Sequence, residues 1–129
     1  MLADAAGDDH YSGRYYTQAI GAHFALGMLI DGAGNDTHNE DQPPVSSIGF
    51  AHDASTTLFW DKGGDDFYRG GGIRGYDSGF SIFIEESGND RYLECNTLGA
   101  ASLGSYGANS PEMLTLGFFI DAQGNDLYD

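Results

Sequence analysis

The chain has 129 residues, with 20 Asp and Glu against 5 Lys and Arg, for a formal net charge of -15. That charge excludes nucleic acid and anionic membrane surfaces as partners, because both are polyanions. Aromatic residues at 13% argue against an acidic disordered chain, and 20 glycines without a Gly-X-Y period exclude collagen.

The first element is a ten-residue motif from Leu2 to Tyr11: two apolar positions, the acid Asp4, two spacers, Gly7, Asp8, Asp9, one spacer and Tyr11. A punctuation point follows at Ile20-Gly21, and then an apolar run from Leu26 to Ile30, short enough to be a buried strand. This run enters the second copy of the motif, Leu29 to His38. A segment from Asn39 to Ser47, carrying Pro43-Pro44, reads as a bulging loop, and Ile48-Gly49 punctuates the chain again. The run from Thr57 to Trp60 leads into the third copy, Phe59 to Tyr68, and the run from Phe80 to Ile84 into the fourth, Phe83 to Tyr92. A second long insert, Asn96 to Pro111, contains Leu98-Gly99. The run from Leu116 to Ile120 then opens the fifth copy, Phe119 to Tyr128.

The motif's second aspartates, Asp9, Asp36, Asp66, Asp90 and Asp126, are 27, 30, 24 and 36 residues apart. Fixed motifs with variable inserts at roughly 20–50 residues per repeat define a solenoid. No segment carries a sustained 3.6-residue period. The expected fold is therefore all-β: a single β-solenoid domain over 1–129, a parallel β-helix of about four coils with acidic turns, each coil built from two or three short strands.

Stacked coils bring equivalent residues about 4.8 Å apart. One acid column is then Asp4, Asp31, Asp61, Glu85 and Asp121; a second is Asp9, Asp36, Asp66, Asp90 and Asp126. Carboxylates that close repel by roughly 3 kcal/mol per pair at an effective dielectric near 20. A cation between coils would turn the repulsion into a binding site. Calcium takes six to eight oxygens in tolerant geometry, and Asp8, Asn35, Asp65, Asn89 and Asn125 add oxygens beside the second column. Magnesium wants tighter octahedral geometry. Zinc or copper wants His or Cys at matched spacing, and His10, His23, His38 and His52 do not recur in one column. The same Asp, Asn and Gly residues also form turns and side-chain ladders without metal, and that reading stays open. The column of Tyr11, Tyr68, Tyr92 and Tyr128, with His38 in the gap, reads as a stabilising aromatic ladder.

The Gly-x-Asp core, as in Gly34-Asn35-Asp36 and Gly124-Asn125-Asp126, resembles the calcium-binding RTX repeats of secreted bacterial proteins. That resemblance implies calcium held between turns of a parallel roll, although this chain has one motif per coil in place of tandem nonapeptides. The segment Gly13-Arg14-Tyr15-Tyr16-Thr17-Gln18-Ala19-Ile20-Gly21-Ala22-His23, leading to Leu29-Ile30-Asp31, is similar to uncharacterised bacterial repeat proteins with Asp-x-x-Gly-Asn-Asp-x-Tyr motifs. This second resemblance implies the fold rather than a role.

The motif sits near both ends of the chain, so either the chain is a piece of a longer array or copies stack head to tail and continue every column, a contact that generates a filament. The expected function is a structural, calcium-binding subunit of an extracellular or cell-surface assembly, with copies of itself as partners and no enzymatic activity. An adhesin or carbohydrate-binding module acting on polysaccharide is the alternative. A β-helix polysaccharide lyase would need a basic residue beside calcium, and Arg14, Arg69, Arg74 and Arg91 bring no constellation. Cys95 has no disulfide partner, no basic and apolar leader follows Met1, and no apolar run of about 18 residues is present to insert into a membrane.

Overall fold

The computed structural model describes residues 1–41, 46–70, 73–102 and 114–129. Every element among these residues is a strand, and every pairing is parallel. The first coil carries β1 (Leu2–Ala3), β2 (His10–Tyr11) and β3 (Gly21–Ala22). The second carries β4 (Leu26–Asp31), β5 (Thr37–His38) and β6 (Phe50–His52). The third carries β7 (Thr56–Asp61), β8 (Phe67–Arg69) and β9 (Arg74–Tyr76), and the fourth β10 (Phe80–Glu85), β11 (Arg91–Leu93) and β12 (Ala100–Ser102). The chain closes with β13 (Leu116–Asp121) and β14 (Leu127–Tyr128). Equivalent strands stack into three sheets, β1-β4-β7-β10-β13, β2-β5-β8-β11-β14 and β3-β6-β9-β12. The molecule is a β-solenoid of about four turns. Its long strands begin and end within a residue of the apolar runs in the sequence.

Strand alternation decides what enters the core. Along β4, β7 and β10 the inward positions are Gly27, Leu29 and Asp31; Thr57, Phe59 and Asp61; and Ser81, Phe83 and Glu85, all buried. The acid of the motif stands two residues beyond the core aromatic and so shares its inward face. Phe59 stacks on Phe83 at 4.7 Å between ring centroids, and Phe83 on Phe119 at 5.4 Å. Each such pair adds about 0.5–1.5 kcal/mol beyond the area it buries. The outer face of this sheet is apolar as well, with Met28, Ile30, Leu58, Trp60, Ile82 and Ile84 half-buried and Phe118 and Ile120 exposed. The apolar runs therefore form strands covered fully on one side only among the described residues.

Two details differ from the sequence reading. The insert from Asn96 to Pro111 contains β12, whose small residues Ala100 and Ala101 pair with Arg74 and Gly75 of β9. Residues 103–113, which include the remainder of that insert, and 42–45, the Pro43-Pro44 part of the other, lie outside the described residues. The mid-coil punctuation is also staggered: Gly21 pairs with Ala51, two positions beyond Gly49.

The corner between the third sheet and the next long strand has one shape in three coils. His23-Phe24, Asp53-Ala54 and Asp77-Ser78 all hold left-handed backbone, with φ between 46° and 65°. Phe24 N–H donates to Asp53 C=O (3.1 Å) and Ala54 N–H to Asp77 C=O (3.2 Å), so the three corners stack.

Candidate metal centre

At the corner between the first and second sheets, the chain leaves a long strand at its acid, turns through the motif glycine and enters the short strand after the second aspartate. The glycine is obligatory there. A Cβ on Gly34 would lie 1.5 Å from the carbonyl oxygen of Gly7, and one on Gly64 1.5 Å from that of Gly34. Turns this close bring the two acid columns together.

Four triads of carboxylates result: Asp9, Asp31 and Asp36; Asp36, Asp61 and Asp66; Asp66, Glu85 and Asp90; Asp90, Asp121 and Asp126. Within each, ligand oxygens lie within 4.8 Å of one another. A triad joins the second aspartate of one coil to both acids of the next, so Asp36, Asp66 and Asp90 each serve two triads.

The two columns are held differently. In the second column each Oδ1 accepts a backbone N–H from the preceding coil: Asp9 to Asp36 (2.7 Å), Asp36 to Asp66 (2.6 Å), Asp66 to Asp90 (2.8 Å) and Asp90 to Asp126 (2.9 Å). In the first column the tyrosine ladder supplies the donors. Tyr11 Oη donates to Asp31 (2.6 Å), Tyr68 Oη to Asp61 (2.8 Å) and Glu85 (2.5 Å), and Tyr128 Oη to Asp121 (2.6 Å). The ladder rings stack at 4.7–5.1 Å through Tyr11, His38, Tyr68, Tyr92 and Tyr128. His38, Tyr68 and Tyr92 are buried, so the middle of the ladder is core and offers no platform to a ligand.

Asp61 has both oxygens engaged, the second by Gly63 N–H (3.3 Å), but five of the other acids keep one oxygen idle. Asp31 Oδ1, Asp36 Oδ2, Asp66 Oδ2, Glu85 Oε1 and Asp90 Oδ2 are buried with no hydrogen-bond partner. A buried carboxylate oxygen without a partner is costly, and five in one corner call for compensation. Among the described residues no Lys or Arg lies within ion-pair distance of a triad. Arg69 pairs with Glu94 and Arg91 with Asp129, Lys62 sits over the Trp60 ring, and Arg74 sits over Phe50 and Tyr76. His38 Nε2 approaches Asp61 at 3.9 Å, but burial pushes its imidazole down to about 3 and keeps it neutral.

Burial, followed by mutual repulsion, has the opposite effect on the acids. Asp36 is pushed up to about 6, Asp66 to about 8, Glu85 to about 9 and Asp90 to about 7, and Asp61 is raised too. Loss of water dominates in every case. The neighbouring N–H and phenol donors pull the other way without cancelling it.

Nine of the fifteen residues proposed from the sequence as ligands form the triads. Asp4 lies at the end of the first column, its backbone bonded to Ile30 and its Oδ1 accepting Ala6 N–H. Asp8, Asn35, Asp65, Asn89 and Asn125 do not enter the triads. They form an exposed outer ladder in which Asn35, Asp65, Asn89 and Asn125 N–H each donate to the side chain of the coil before.

A second group escapes the column reading: His52, Asp53 and Asp77 bring ligand atoms within 4.8 Å of one another, beside His23. Its signal in the sequence is the third residue before β4, β7 and β10, which is His23, Asp53 and Asp77 in turn. No family model, curated protein or solved structure matches this chain.

Proposed function

We propose that this chain is a structural β-solenoid whose coils are clamped by Ca2+ ions held in the four stacked triads. The observation that carries the reading is the set of five buried, unpartnered carboxylate oxygens in a corner where, among the described residues, no Lys or Arg makes an ion pair. A dication would offset the charge, accept the idle oxygens and tie each coil to the next. Three all-oxygen carboxylates without nitrogen or sulfur suit a hard cation. Calcium tolerates six to eight such oxygens in loose geometry, where magnesium demands a tight octahedron and zinc favours nitrogen and sulfur. Sites of this kind fill where calcium is plentiful, which supports an extracellular or cell-surface setting.

Stacking of copies head to tail extends the same reading. The coil at the amino end opens as a recess of about 300 Å³ lined by Leu2, Ala19, Ile20 and Leu29, among others. The coil at the other end presents Ile120, Leu127 and Tyr128 exposed. Asp126 of one copy would meet Asp4 and Asp9 of the next in the arrangement of the internal triads.

Calcium titration by calorimetry, followed by electron microscopy with calcium and after chelation, tests both parts. The expected result is saturable binding approaching four ions per chain, with filaments that need calcium. Absence of binding, with structure unchanged in chelator, would refute the clamp; binding without assembly would refute the stacking.

A further inference from the structure

We propose a second metal site, for a borderline dication of the zinc class, at the left-handed corner, held by His52, Asp53 and Asp77 with His23 as a fourth ligand. It is separate in chemistry and place from the acid triads, and it stands whether or not those bind calcium.

The stacked turns put His23, Asp53 and Asp77 in register, and β6 delivers His52 immediately before Asp53. Asp53 Oδ2 lies 2.8 Å from His23 Nδ1 and 3.2 Å from His52 Nδ1. Those separations are short enough for hydrogen bonds. Even so, Asp53 Oδ2 and His52 Nδ1 are both covered from solvent and neither makes a hydrogen bond of acceptable angle. Two imidazole nitrogens crowd one carboxylate oxygen without pointing at it. Neighbouring ligands of a tetrahedral zinc, each about 2.0–2.1 Å from the metal, stand about 3.3 Å apart, close to the His52–Asp53 separation.

The surroundings pack two of the ligands closely and leave His23 exposed. His52 stacks on Tyr76 (5.1 Å) and Phe50 (5.8 Å), and its side chain is only 16% exposed. Asp53 is 14% exposed. His23 is 76% exposed, with its ring 6.1 Å from that of His52, so it can turn onto an ion seated by the other three. Neutral imidazole with carboxylate is the ligand chemistry of zinc rather than calcium, and the mixed set separates the two corners.

Titration of Zn2+ into the whole chain in millimolar Ca2+, followed by calorimetry, tests the site. The expected result is about one equivalent of Zn2+, weakened at least 10-fold in His52→Ala and in Asp53→Asn, and unchanged in the triad variant Asp66→Asn. Circular dichroism checks that each variant folds. His23→Ala, at an exposed position, serves if His52→Ala does not, and it too should weaken binding. No zinc binding in the presence of calcium would overturn the proposal, as would affinity indifferent to His52 and His23. So would zinc binding lost with Asp66→Asn and kept in the histidine variants, which would place the ion in the triads.

Discussion

Tyr68 Oη donates toward Asp61 at 2.8 Å and Glu85 at 2.5 Å, so a single phenol proton serves carboxylates from two successive coils. One hydrogen cannot satisfy both acceptors fully, and the shortfall falls on the triads. Tyr68→Phe should therefore destabilise the chelated protein by about 1–3 kcal/mol, since it strips buried acceptors of their donor. Denaturant titration with and without calcium measures this. The calcium-bound form should lose less, because an ion would hold the same carboxylates.

The raised acids fix the direction of the pH response. Asp36, Asp66, Asp90 and Glu85 bind their protons more tightly when folded, with values of about 6 to 9 against about 4 when unfolded. Between those limits the folded state holds more protons, so stability present at low pH is lost as pH rises. In chelator, the contribution of these acids to the melting temperature should be greatest at or below about pH 4 and fall steadily towards pH 9. Calcium should reverse the slope, and its binding near pH 7 should release protons, measurable as a buffer-dependent calorimetric heat.

Asp66 belongs to two triads, and Asp65 beside it belongs to none. Asp66→Asn keeps an oxygen to accept Asp36 N–H but removes the charge. It should take about two of four calcium ions with it. Asp65→Asn should leave the stoichiometry unchanged. Equilibrium dialysis of the two variants side by side distinguishes the triads from general acidity.

Gly64→Ala tests the close turns, its Cβ pressing chiefly on the Gly34 carbonyl and also coming within 2.9 Å of Asp66 Oδ1. Its Cβ would sit 1.5 Å from Gly34 C=O, at a φ of 159° that L residues rarely adopt. A loss of about 3 kcal/mol or more is expected, because a backbone atom rather than a flexible side chain stands in the way. Thermal unfolding against Gly13→Ala, whose nearest obstruction is the Thr17 side chain rather than backbone, provides the comparison.

Much of this architecture can be read from the motif itself. Phe59, Trp60 and Asp61 already place an acid on the same face as a core aromatic, and recurrence at Phe83, Ile84 and Glu85 makes columns of both. The division of labour within the motif cannot be read that way. Asp65 and Asp66 are identical side chains one residue apart, and only the path of the turn between β7 and β8 sends one outward to a ladder and the other inward to a triad. The His52 corner was hidden for a different reason. Its four members come from three coils and two adjacent columns, and the column that opens on His23 continues as Asp53 and Asp77, so the mixed residue types conceal a group that the left-handed turns bring into register.

The inner and outer side-chain ladders run in opposite senses. Asp36 N–H reaches forward to Asp66, while Asp65 N–H reaches back to Asn35. Each coil therefore shows one pattern on its upper face, a donor at the inner position and an acceptor at the outer, and the inverse pattern below. The two faces fit as plug and socket. Two upper faces brought together would set donor against donor and acceptor against acceptor, so any coil added to this stack is admitted in only one orientation.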